Sequence, residues 1–169
     1  MRAAGGTVIW VVTDADNADK QWPSLHSHML TPHSSARRLA DLGKGSEGYK
    51  LWPTLQVEPE DLHVVKLRYS AFIQGSSNLE QLLRERNVDA IMIAGTATNV
   101  CCESTARDAM MLNYKVFFVS DANATFTDDE HNATLSAMAH TFCDVIDTRT
   151  MIDMVRPPVA VERREPVLA

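Results

Sequence analysis

Apolar residues in this chain fall into short unbroken runs, separated by stretches with a helical period. The first run, Thr7-Val8-Ile9-Trp10-Val11-Val12, follows Gly5-Gly6 and is rich in β-branched residues. A run that is apolar at every position reads as a strand buried on both faces, not one half-exposed to water. Leu62 to Leu67, Ala90 to Ala94, Val116 to Val119 and Cys143 to Ile146 repeat the pattern. Between them the spacing changes. Ser77 is placed to cap a helix running to Arg86, with Leu79, Leu82 and Leu83 on one face. Glu103 to Leu112 and Asp128 to His140 read as two more helices, the latter with Ala133, Leu135 and Met138 turned inward. Strands alternating with helices predict an α/β fold with a mostly parallel sheet covered by helices on both faces. Ligands of such sheets bind beyond the carboxyl ends of the strands.

Two stretches stand outside this alternation. Residues 13–61 hold four of the seven prolines and three of the six histidines. Ser34 to Leu42 is the one short helix expected there, and Gly43-Lys44-Gly45-Ser46 marks a long functional loop. The tail from Arg156, RPPVAVERREPVLA, mixes proline with charge and is expected to be an extended or disordered arm.

Composition narrows the class. Hydrophobic residues make up 45% and charged residues 22% of 169, enough apolar matter for one packed domain. The net charge of −6 speaks against nucleic acid as a partner, which would call for a basic face. No apolar run approaches a membrane span, and residues 1–12 lack the parts of a signal peptide. Three cysteines, two of them adjacent (Cys101, Cys102 and Cys143), do not make a disulfide framework. A reducing, cytoplasmic setting is expected. His26 and His28 have no carboxylate spaced to complete a metal site, so neither metal nor cofactor is expected.

The segment Gly95-Thr96-Ala97-Thr98-Asn99-Val100-Cys101-Cys102-Glu103-Ser104-Thr105-Ala106-Arg107-Asp108-Ala109 begins where a strand ends and runs into a helix. Asn99 is placed as N-cap, which sets Cys101 in the first turn. Free backbone N–H groups and the helix dipole there favour a thiolate and can hold an oxyanion. Lys66 closes the strand before Leu67-Arg68-Tyr69-Ser70-Ala71-Phe72, so its ammonium should emerge at the same sheet edge. The plain alternatives are a cysteine acting as a small buried hydrophobe and a lysine at a solvated strand end. Cys102 and Cys143 read as packing residues.

The Gly95 to Ala109 segment resembles the signature of the isochorismatase-like cysteine hydrolases, as does Lys66 to Phe72. Asp121-Ala122-Asn123-Ala124-Thr125, with His131 further on, is similar to the family's next conserved stretch. The likeness runs over about residues 3–153, and Thr98-Asn99-Val100-Cys101 with Glu103-Ser104-Thr105 looks closest to the ureidoacrylate and N-carbamoyl amide hydrolases. It implies a three-layer, Rossmann-like domain over residues 1–155, short at its amino end, followed by the tail 156–169. It also implies an amidohydrolase without cofactor, acting on a small amide, ureido or carbamoyl compound through an acyl-enzyme. Cys101 takes the nucleophile's position and Lys66 the lysine's. The backbone N–H groups of Ala97 and Cys101 take the oxyanion hole, with a cis peptide between Thr96 and Ala97. Homo-oligomers are expected, and Tyr69, Phe72 and Trp22, with His26, His28 and Trp52 around them, are expected to line the substrate pocket. Cys101 itself argues against the isochorismate-cleaving lyases, which commonly lack it.

One part of the pattern is missing. The family's aspartate, on a first strand in a D-x-Q-x-x-F pattern, has no match; Thr7 to Val12 matches the family's second strand. About one strand and one helix are therefore expected to be absent at the amino end, and that strand would lie in mid-sheet. Asp14 and Asp16, just past the first strand, are the carboxylates that could stand in as base, although acidic residues after a strand are commonly turn-formers. The competing expectation is a catalytically impaired relative serving as a binding or assembly module.

Overall fold

The computed structural model describes residues 1–156. Strand β1, Ile9–Thr13, is followed by helix α1, Ala18–Gln21, a π-helical turn at Ser24–Met29, and α2, Pro32–Leu42. Strand β2 is Leu62–Lys66 and α3 is Leu79–Glu85. Strand β3, Ala90–Thr96, leads through a second π-helical turn, Thr98–Cys102, into α4, Glu103–Met111. Then come β4, Lys115–Ala124, α5, Asp128–Thr141, β5, Asp144–Ile146, and α6, Thr148–Val155.

Each apolar run becomes a strand, and every strand pair is parallel. The strands do not make one sheet. β1 pairs with β2, and β3, β4 and β5 form a separate sheet in that order. The break falls between β2 and β3, so each has one neighbour. It leaves apolar strand positions uncovered: Val11 is 38% and Val65 40% exposed, where full coverage on both faces was expected.

The core gathers Val64, Leu79, Leu83, Val116, Phe118 and Met138 around Ala106 and Ala109. Both alanines are fully buried, because only a methyl group fits where α4 lies against the sheet. Helix starts follow local chemistry. Thr31 accepts from Ser34 N–H at 3.1 Å, with Pro32 as the first helical residue, and so begins α2 earlier than Ser34. Thr127 accepts from Glu130 N–H at 3.2 Å and starts α5, whose first turn carries Asp128, Asp129 and Glu130 at the positive end of the dipole.

The structure corrects several expectations. The 13–61 segment holds four helical pieces, not one, the last a 3-10 turn at Glu47–Tyr49. α6 went unread, although Asp147 caps it by accepting from Thr150 N–H at 2.7 Å. On α5 the inward set is Thr134, Leu135 and Met138, while Ala133 is exposed. The arm expected from Arg156 lies, from residue 157 on, outside the described residues, and no helix among those described is long and apolar enough to cross a membrane.

Candidate active site

The two sheets meet at the carboxyl ends of β2 and β3. β3 ends at Gly95-Thr96, with Gly95 at φ 137°, a conformation open only to glycine at low cost. The Thr96–Ala97 peptide is cis, in accord with the resemblance. The chain then winds into the π-helical turn, where Val100 and Cys102 both donate their N–H to the Ala97 carbonyl, at 3.1 and 3.2 Å. Cys101 is half-buried on this turn, and its carbonyl accepts from Thr105 Oγ1 at 2.6 Å.

Three side-chain bonds tie the turn to its surroundings. Thr98, fully buried, lies with Oγ1 2.9 Å from His131 Nδ1 on α5. Thr125 donates to Asn99 Oδ1 at 2.6 Å. Thr134 donates to Glu103 Oε2 at 2.9 Å, while Arg107 holds the other oxygen of Glu103 at 2.7 Å. Asn99 is thus not a helix cap as expected. Its side chain is engaged by Thr125, and of the N–H groups of the turn those of Val100 and Cys102 go to the Ala97 carbonyl. Below the turn, Asn123 Nδ2 donates to Ile93 O and Val119 O, at 2.9 and 2.6 Å, and pins β3 to β4 where their register shifts.

Lys66 comes from the other sheet. It is only 5% exposed, and Nζ donates to Arg68 O at 2.8 Å and to Cys101 Sγ at 3.4 Å. The other two thiols are unsuited to attack. Burial pushes the Cys102 thiol up to about 12 and the Cys143 thiol up to about 11, so both stay protonated.

No carboxylate pairs with Lys66 among the described residues. Asp14 is close in the backbone, donating its N–H to Lys66 O at 3.1 Å. Its side chain, however, accepts from Asp16 N–H at 2.8 Å, and Asp16 Oδ1 accepts from Lys44 N–H at 3.1 Å. Both aspartates serve their turn, as acidic residues after a strand commonly do.

The residues expected to line a pocket separate. Tyr69 and Trp22 meet edge to face with ring centroids 4.7 Å apart, and Arg68 lies over Trp22 at 5.2 Å. Phe72, by contrast, is a core residue: it is buried against Tyr114, 5.5 Å between centroids. His26 is buried with Nδ1 2.8 Å from Ser35 Oγ, His28 faces water, and Trp52 is 71% exposed. Sequence reasoning missed Thr98 and Thr134. A threonine two positions after a strand, and another four before a core methionine, were the available signals.

The isochorismatase domain matches residues 1–150. Ureidoacrylate amidohydrolase RutB from Cronobacter sakazakii is 35% identical over 129 residues, 72% of this chain and 55% of that protein. Nicotinamidase 3 from Arabidopsis thaliana is 40% identical over 92 residues, 54% of this chain and 46% of that protein. The chain thus spans about half the length of the curated relatives it matches. Among solved structures, a cysteine hydrolase from Pseudomonas syringae pv. phaseolicola superposes with a TM-score of 0.74 at 29% identity, covering 91% of this chain and 74% of that one. With its fold, its strand-to-helix turn and a match over most of its length, this chain belongs to the isochorismatase family.

Proposed function

We propose that this chain hydrolyses a C–N bond in a small amide, ureido or carbamoyl compound, with Cys101 as nucleophile. The observation that carries the reading is the buried Lys66 ammonium 3.4 Å from Cys101 Sγ, at the end of a strand and the start of a helix. A cation there is the counter-charge for the sulfur once its proton has left to water. The thiolate attacks the carbonyl carbon, and the oxygen gathers negative charge facing the backbone N–H groups of Ala97 and Cys101. The tetrahedral species collapses as the C–N bond breaks, with Lys66 giving the departing nitrogen its proton. Water then adds to the thioester, frees the acid and returns protons to sulfur and lysine. Tyr69 and Trp22 form the wall beside the lysine against which the substrate lies.

One observation favours a second reading: Lys66 has no carboxylate partner among the described residues. On that reading the site binds small amides without turning them over. Ammonia release from a panel of ureido and carbamoyl compounds separates the two, with Cys101→Ala as blank. Release above the blank supports the hydrolase, and none from any compound supports the binding module. Iodoacetamide provides a second check. Cys101 should be alkylated first, ahead of Cys143 and Cys102, and equal labelling of all three would remove the nucleophile from the scheme.

A further inference from the structure

Arg38 on α2 is out of keeping with the other arginines. Arg37 beside it is exposed and pairs with Asp41 at 3.3 Å. Arg2, Arg84 and Arg107 each hold a carboxylate, and Arg68 gives its N–H groups to the carbonyls of Leu67 and Gln21. Arg38 is half-buried, forms no ion pair among the described residues, and has its Nε buried without a hydrogen-bond partner. A half-buried guanidinium whose Nε is withdrawn from water and unfilled has a donor left for an anion.

Its neighbours point the same way. The Arg38 guanidinium lies 6.0 Å from the centre of the Tyr69 ring, which Trp22 meets edge-on. Tyr69 follows Arg68, whose carbonyl accepts from Lys66 Nζ at 2.8 Å, and that same nitrogen contacts Cys101 Sγ. The backbone step from Arg68 to Tyr69 therefore links the carbonyl held by Lys66 to the ring beside Arg38, a cation with no ion pair among the described residues. His26, also beside Arg38, is 5% exposed and has its Nε2 buried without a partner. Burial, with the charge of Arg38 behind it, lowers its pKa and keeps it neutral, against the opposing pull of Asp19. Asp19 makes no ion pair with Arg38. The chain as a whole carries −6, so its long-range field does not draw anions in, and selection of one must be local.

We infer that Arg38 binds a carboxylate on the substrate and so selects ureido and carbamoyl acids over neutral amides. This rests on the hydrolase reading for the identity of the bond broken, but not for the binding itself. The planar fork of a guanidinium matches a carboxylate with two parallel N–H bonds, which an ammonium cannot reproduce.

The test compares N-carbamoyl-glycine and N-carbamoyl-β-alanine with their neutral N,N-dimethylcarboxamides, whose added amide cannot release ammonia, in the natural chain, Arg38→Gln, Arg38→Lys and the exposed control Arg37→Gln. Two readouts are taken: ammonia release, and protection of Cys101 from iodoacetamide. The natural chain and Arg37→Gln should prefer the acids. Arg38→Gln should raise KM for the acids by about tenfold or more with kcat little changed, and leave the neutral amides alone. Arg38→Lys should recover part of the preference and shows that the site still folds. If nothing is turned over but the acids protect Cys101 and Arg38→Gln abolishes protection, the hydrolase reading fails and the carboxylate site stands. If turnover or protection shows no preference for acids, or one that Arg38→Gln leaves intact, the Arg38 assignment is overturned. Absence of both turnover and protection overturns it as well.

Discussion

The two sheets supply half of the site each and are built unequally. The β3–β4–β5 sheet lies against α4 and α5 with Phe118 and Met138 fully buried, and three polar bonds clamp the turn that carries Cys101. The β1–β2 pair that carries Lys66 has only two strands, with Val11 and Val65 partly open to water. Two strands alone make little of their own stability. Cys101 is therefore over-determined by its surroundings, and Lys66 depends on how well the smaller sheet is held. A reactive pair drawn from two sheets is only as well aligned as the weaker one.

The largest expected effect breaks both halves at once. Cys101→Ala should lower ammonia release by at least about a thousandfold, and Lys66→Met by about a hundredfold or more. If Lys66→Met left the rate intact, the smaller sheet would have no part in the chemistry. Stability comes next. Phe118→Ala should destabilise by about 3–5 kcal/mol in denaturant melts, and Val65→Ala by less than about 1 kcal/mol. A loss at Val65 as large as at Phe118 would mean that the β1–β2 pair is as well packed as its neighbour. Thr134→Val removes one clamp and leaves Glu103 short of a donor, for about 1–2 kcal/mol and a measurable loss in kcat.

The smallest effect sharpens the comparison through pH. Asp61, at the start of β2, accepts from Arg2 and from Trp10 Nε1, the latter at 2.8 Å, and ties the smaller sheet together. The Arg2 guanidinium holds its carboxyl well below the usual carboxylate range. Its contribution is complete above 3.8, the ordinary value, and is lost as the pH falls from there toward the folded value. Hydrogen exchange should therefore accelerate in β1 and β2 before β3 and β4 as acid is added, and Asp61→Asn should remove that difference. Simultaneous opening of all strands would place the two sheets in one cooperative unit.

Much of this was legible from residue order. Short runs that are apolar at most positions and bounded by helical spacing have no stable home but a covered parallel strand, so all five strands were readable. Cys101 and Lys66 could be placed because strand ends in such sheets share one edge. Other parts turned on competition between partners. Asn99 has the chemistry of a cap, yet a threonine 26 residues away occupies its side chain. Phe72 follows the lysine closely enough to suggest the pocket, but the chain turns it into the core against Tyr114. Ala133 and Thr134 differ by one helical position, and the buried acceptor on Glu103 decides that the threonine points inward.

The sequence by itself determined the alternation of strand and helix, the parallel pairing, and which turn carries the cysteine, because these follow from local periodicity and backbone chemistry. Only the tertiary structure decided that the strands divide into two sheets, that Asp14 and Asp16 spend their carboxylates on turns, and that Arg38 stands beside Tyr69 with no counter-ion among the described residues. Each of those depends on which groups distant in the chain reach one another first, and a buried charge or strand edge records its partners only in space.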